Sequence, residues 1–382
     1  MVKRRKRKLK KRVLLLVICV FSVYLVFSGK SVFDRNYYEN KNSLDIPIKK
    51  IEIVDLYSKS RPIAVMINNH PSARPYHSGL QDAYLAYEII VEGGFTRYMA
   101  VYKDKNTGRI GSVRSSRHYF LDYALENDAI YIHWGYSPIA GNEMKSYQVD
   151  HFDGIKYENK YFFRDRTLNV SLEHTGFTNM ELIQRGIIDF NFRTETNKGL
   201  LLNYSSESVD LSSYENAIEA NEVVIPYSGV VTTSYQYDKQ KKIYLRSVND
   251  KVNIVYSNST ATSYVYDSEN KVYKRYVNDV EHVDHETKEQ YTVKNIITYQ
   301  VSNHTLTGDV KGRQDIDNIG IGNGYYITEG YAVPIKWEKK YKSSQTVYTY
   351  ADGTEINVND GNTWIHIHPI SKKLTINGQK ES

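Results

Sequence analysis

Hydrophobic and polar positions divide the chain into blocks of different texture, and each predicts its own kind of structure. Val13 to Ser28 is uncharged and mostly apolar. Residues 29–57 are polar, with Asn, Lys and Asp interspersed, and read as a spacer. The first dense apolar strand is Pro62 to Ile67, closed by Asn68-Asn69-His70-Pro71. Tyr84 to Val91 and Thr96 to Tyr102 flank Glu92-Gly93-Gly94-Phe95, the signature of a β-hairpin. Ser115 to Glu126 has helical spacing, Ala129 to His133 is a short β-type run, and Thr178-Asn179 caps a helix predicted from Met180 to about Asp189. From Val223 onward the pattern changes to short alternating strands with turn residues. The fold class expected is α+β: an N-terminal mixed α/β domain over 58–205, then a mainly antiparallel β domain over 220–372.

The β-rich half repeats itself. Ser234 to Asp250 aligns with Ser263 to Asp279 at an offset of 29, with ten of seventeen positions identical, Tyr235/Tyr264 and Arg246/Arg275 among them. Each copy predicts strand, turn, strand. Two copies are too few for a solenoid, so the expectation is one hairpin used twice in a sheet.

Charge changes the picture at the N-terminus. Residues 3–12 carry nine Lys/Arg and no acid, which keeps residues 1–12 cytoplasmic and orients the following apolar run N-in, C-out. At about 1.5 Å per residue that run spans about 24 Å, short for a bilayer core of about 30 Å. An uncleaved signal-anchor over 13–28 is the leading expectation, and a cleaved signal peptide or a polybasic cytoplasmic segment are the alternatives. The bulk of the chain then lies outside the cell, at the membrane's outer face. Residues 1–30 hold ten of the 50 Lys/Arg and none of the 44 Asp/Glu, so the overall +6 becomes −4 for the remainder. A mildly acidic exported part removes nucleic acid from the partner list. The single cysteine, Cys19, sits inside the apolar run after Leu16, Val17 and Ile18 and not at its end, which speaks against lipidation. No cysteine remains for a disulfide, so stability must come from a packed core. The 35 tyrosines fit a β-rich protein.

Several ordered motifs carry a resemblance. Val65 to Pro75, Tyr87 to Arg97, Ile110 to Arg117, Phe163 to Arg166, Gly322 to Ile327 and Asn362 to Ile365 resemble the YerB-like family of bacterial lipoproteins, over about Arg61 to Pro369. The resemblance implies a two-part layout and no assigned reaction. Glu173-His174-Thr175 departs from the family's Pro-His-Asn, Ile132 to Pro138 replaces a glycine-richer stretch, and the lipidation signal is missing.

Candidate chemistry concentrates in the first domain. Glu88 and Glu92 share a face in either regular structure, about 6 Å apart on a helix and about 13 Å apart on a strand. The strand reading argues against a glycosidase pair, which needs its carboxyls about 5–9.5 Å apart. Glu92 remains the candidate general acid, assisted by His133, Asp165 or His174; its bland reading is a turn residue paired with Arg97. Arg97, Arg114, Arg117, Arg164 and Arg166 are the candidate anion-binding set, because guanidinium binds carboxylate and phosphate as a fork; internal pairing of Arg114 with Asp122, Glu92 or Asp165 is the alternative. No HExxH or comparable spacing predicts a metal, and His366 with His368 are too few. Gly320, Gly322 and Gly324 lack a following helix, so no nucleotide or other cofactor is implied. The leading expectation is a membrane-anchored envelope protein that binds an anionic cell-wall polymer, peptidoglycan or teichoic acid, or another envelope partner. Its rival is a wall hydrolase or lyase using Glu92.

Overall fold

The computed structural model describes residues 51–229, 234–238, 243–247 and 260–380, and from Ile51 onward the chain forms one compact unit. The basic segment 1–12, the apolar run 13–28 and the spacer up to residue 50 lie outside the described residues. Among those described, no helix is long and apolar enough to cross a membrane.

Five strands come from the first half: β1 (Ile63–Asn68), β2 (Leu85–Ile90), β3 (Thr96–Tyr102), β4 (Ile130–His133) and β5 (His151–Asp153). The second half supplies β6 (Ile218–Glu219), β7 (Glu222–Ser228), β8 (Thr260–Asp267), β9 (Val272–Val277), β10 (Asn295–Val301), β11 (Gly320–Thr328), β12 (Tyr331–Lys339) and β13 (Thr363–Pro369). One mixed sheet runs in the order β6-β12-β11-β10-β13-β2-β3-β1-β4-β5, with Val347–Thr349 paired to β12. The segments expected as two domains therefore meet inside one sheet, where β13 pairs in parallel with β2 on one side and β10 on the other. Both faces of that seam are covered, which is why β1, β2 and β3 are buried at every position.

Alternation along β2 sorts what covers each face. Tyr87 donates to Glu126 of helix α1 (His118–Glu126) at 2.6 Å, so α1 lies on one face. Glu88, pointing the other way, meets Thr262 of β8 and Arg275 of β9. A second, wholly antiparallel sheet built on β9-β8-β7 therefore covers the opposite face. The fold is α+β.

Helix α2 (Pro138–Ser146) links β4 to β5, and a single turn, α3 (Gly154–Tyr157), follows β5. Helix α4 spans Met180–Asp189, the predicted range, with Asn179 Oδ1 accepting from Leu182 N at 2.7 Å. The helix expected from Ser115 starts only at His118, because Ser116 is drawn into backbone hydrogen bonds with Gly135 and Ser137. Residues 51–54, expected as spacer, belong to the folded part: Ile51 and Val54 join the core, and the Asp360 carboxylate accepts the Glu52 and Ile53 amides.

The repeat forms two hairpins in the same register. Tyr235 pairs with Arg246 and Tyr237 with Tyr244; 29 residues on, Tyr264 pairs with Arg275 and Tyr266 with Tyr273. The first copy is its own two-stranded ribbon and the second belongs to the covering sheet, so the two do not share a sheet as expected.

Candidate functional site

The candidate residues from the sequence separate into four groups. Glu92 sits in the β2–β3 turn and ion-pairs with Arg97 at 3.0 Å, the bland reading, and also with Arg117. Burial alone raises its pKa, but the Arg117 hydrogen bond and the charges of Arg97 and Arg117 outweigh that and hold it at about 2. A carboxyl ionised throughout the neutral range has no proton to give, so Glu92 does not fit the general-acid role. Arg97 and Arg117 also donate Nη1 to the Ser115 and Ser116 carbonyls respectively.

His133 lies with neither arginine cluster. It is fully buried, with Nδ1 on the Gly135 carbonyl and Nε2 on His151 Nδ1, each at 2.9 Å. Burial and the neighbouring His151 pull its pKa to about 3. Asp165 pairs with Arg109 at 3.0 Å and holds Thr167, while Arg109 lies over the Phe177 ring at 3.8 Å. Arg164 pairs with Glu158 and lies over Trp134, and Arg166 stays exposed with Glu158 at 3.9 Å. Of the proposed anion set, then, Arg97, Arg117 and Arg164 are committed internally and Arg166 is a surface charge.

The fourth group is open. β1 ends at Asn68, whose amide N–H donates to the Ser112 carbonyl at 2.9 Å. Its side chain bridges outward: Oδ1 accepts the His70 amide at 3.1 Å, which turns Nδ2 toward His174 Nδ1 at 2.9 Å. An amide nitrogen only donates, so His174 accepts at Nδ1 and carries its proton on Nε2. His70 likewise accepts the Ser72 amide at Nδ1, at 3.2 Å, and carries its proton on Nε2. The two rings stack 4.6 Å apart at 14°, with Phe95 5.0 Å from His70. Arg114 pairs beside them with Glu173 at 2.6 Å, a partner the sequence reading did not name. Burial lowers the pKa of both histidines, with that of His174 falling to about 4.

One functional candidate was missed. Arg74, on a short turn bracketed by Pro71 and Pro75, donates Nε to Asn69 Oδ1 at 2.9 Å and Nη2 to the Asn69 carbonyl at 3.2 Å. Arg74 has no carboxylate within 4.0 Å among the described residues, whereas Arg97, Arg109, Arg114, Arg117 and Arg164 each have one. It lines a pocket of about 400 Å³ with His285 and Lys288; Glu281 and Asp284 are the acids on that wall. The Asp284 oxygens are already taken by the Gly79, Glu286 and Thr287 amides and the Tyr291 hydroxyl. The signal available in sequence was the Pro-Ser-Ala-Arg-Pro run, which forces a tight turn around an arginine. A larger cleft of about 1150 Å³ lies where residues 79–82 and 107–109 face 267–274 and 284–292. No group of three His, Cys, Asp or Glu able to hold a metal occurs among the described residues. His366 and His368 are sealed in β13, with His366 bonded to Tyr227 and Tyr264.

Comparisons with known proteins agree with this layout. The family described as "Protein of unknown function (DUF3048)" matches in both its parts, the N-terminal domain over residues 52–193 and the C-terminal domain over 252–365. The Bacillus subtilis protein named "Putative lipoprotein YerB" is 26% identical over 334 residues, 87% of this chain and 88% of that one. The crystal structure of Bacillus subtilis YerB superposes with a TM-score of 0.67 at 25% identity, covering 87% of this chain and all of that one. With the motifs, both domains and the fold in agreement, the chain belongs to the YerB-like, DUF3048 family.

Proposed function

We propose that this chain works at the outer face of the cell membrane and binds an anionic polymer of the cell envelope through its first half. The apolar run 13–28 serves as its single anchor, in the place that a lipid would take in a lipoprotein relative. The observation that carries the binding is Arg74, a half-buried guanidinium with no carboxylate partner that faces a pocket also lined by His285 and Lys288. Desolvating a cation without pairing it costs stability, so a fold that keeps one so placed reserves it for an external anion. Teichoic phosphates and peptide-stem carboxylates supply that charge outside a bacterial membrane. The hydrolase reading has no such support, because its acid, Glu92, is tied down by two arginines.

The test is retention of the detergent-solubilised full chain on purified sacculi, with and without teichoic acid. Arg74→Ala is expected to lower retention at least fivefold, and Arg166→Ala, which removes an exposed charge, to leave it within twofold. Equal retention of Arg74→Ala and wild type sinks the proposal, as does an equal loss in both variants, which indicates nonspecific charge attraction.

A further inference from the structure

Arg114, His174 and His70 present hydrogen-bond donors from three separate side chains, and one carboxylate already answers to them. Glu173 places Oε2 2.6 Å from Arg114 Nη2 and Oε1 only 3.7 Å from His174 Nε2. It thus satisfies one donor and stands beyond hydrogen-bond length of the next. Its side chain is 54% exposed, on a short turn at 172–174, whereas His174 beneath it is 3% exposed. Both imidazole Nδ1 atoms are occupied as acceptors, so what the histidines offer is N–H. The Nε2 of His70 has no hydrogen-bond partner among the described residues. A tetrahedral oxyanion offers oxygens in several directions, and so more acceptor positions for these donors than the Glu173 carboxylate now supplies.

We infer that Arg114, His174 and His70 form an oxyanion site for a phosphodiester, and that Glu173 occupies it until the ligand displaces it. This deepens the envelope-binding reading and rests on it for the source of the ligand, though not for the chemistry of the site. The charged groups facing the two imidazoles are Glu173, Arg114 and Arg74.

The probe is dimethyl phosphate, whose single charge does not change between pH 7.5 and 5.5, titrated into the full chain in detergent and read by 31P line width. Glu173→Gln is expected to bind it at least fivefold more tightly than wild type at pH 7.5. The double variant Arg114→Gln/Glu173→Gln is expected to lose that gain. Circular dichroism checks that each variant is folded; Glu173 is exposed enough for the single change to be tolerated. Glu173→Gln binding no better than wild type overturns the inference, as does a double variant that binds as well as the single one. Acetate at pH 7.5 is the carboxylate control, and equal enhancement for acetate also overturns the phosphodiester assignment. Competition by glycerol-phosphate teichoic acid or by phosphatidylglycerol vesicles then tells wall polymer from lipid headgroup, and either supports the site. Arg74-dependent retention on sacculi without dimethyl phosphate binding removes this inference alone. Dimethyl phosphate binding by Glu173→Gln without sacculus retention removes the envelope reading alone.

Discussion

Two clusters of Arg, Glu and His in this chain share a chemistry and differ in completion. At the seam of the large sheet, Glu88 and Arg275 pair at 2.6 Å with no exposure to solvent. Glu88 also accepts from Thr96 and Thr262, and Arg275 donates to Tyr98, Tyr264 and His282 while lying 4.2 Å from the Trp364 ring. At the end of β1, Arg114 and Glu173 pair at the same 2.6 Å, but both are partly exposed and the histidines beside them keep free donors. The distance is equal and the meaning is not. A saturated buried pair joins the two halves of the chain, since Glu88 belongs to β2 and Arg275 to β9. An unsaturated pair at a loop end is arranged to exchange partners.

Breaking the sealed pair is expected to give the largest effect. Arg275→Met leaves the Glu88 carboxylate buried with its threonine partners alone, at a cost of about 3–5 kcal/mol of unfolding free energy. Arg275→Met with Glu88→Gln removes the stranded charge and is expected to recover a large part of it. Denaturant unfolding of the three proteins measures this, and a single variant within about 1 kcal/mol of wild type refutes the role given to the pair.

Acid is expected to act on buried histidines, both beside the sealed pair and away from it. Burial lowers the pKa of His77 to about 3, with the hydrogen bond to the Asn68 carbonyl opposing it; His133 falls to about 3 and His368 to about 4. These folded values lie below the unfolded one, so the unfolded chain binds more protons and stability falls as pH drops from about 6.5 toward 4. Each histidine contributes up to about 1.4 kcal/mol per pH unit in that window. Asp122, raised by burial to about 6, acts with the opposite sign below that pH and offsets one of them. Unfolding free energy at pH 7.5 and 5.0 is expected to differ by several kcal/mol, and a flat profile contradicts the buried neutral assignment.

What was legible in sequence was local. Helix α4 follows from Asn179 and the spacing after it, and the β2–β3 hairpin from Gly93-Gly94, where both glycines take positive φ. The duplicated hairpin could be aligned residue by residue, and its register is conserved between the copies. What joins distant segments was not legible. Leu85 pairs with Thr363 across almost the whole folded part, and both strands already had neighbours that explained their pattern. Arg275 looked like one more polar residue in an alternating strand, and only the facing Glu88 gives it a purpose. The arginines misled for the same reason. Glu158, Glu173 and Asp165 are supplied by tertiary folding, so residue type alone could not separate the paired cations from Arg74.

Glu92→Gln is expected to have an intermediate effect. Arg97 and Arg117 are both nearly buried and would lose the carboxylate they share, at a cost of about 1–3 kcal/mol. The variant is expected to release no less muropeptide from sacculi than wild type, because Glu92 is structural. A stable variant with lost release would restore the catalytic reading and place Glu92 in a different class from the sealed pair.

Glu173→Gln sharpens the comparison most, because it is expected to cost least. An ion pair that is more than half exposed on its acidic side is worth about 0–1 kcal/mol, since water and salt screen it and two side chains must be held still. Unfolding of this variant is therefore expected within about 1 kcal/mol of wild type, against several for Arg275→Met. The two pairs have the same length and the same charges, so the contrast isolates burial and the saturation of neighbouring donors as the cause. A loss above about 2 kcal/mol for Glu173→Gln would mean that its carboxylate is a fixed strut of the 172–174 turn. The end of β1 would then be as closed a structure as the seam.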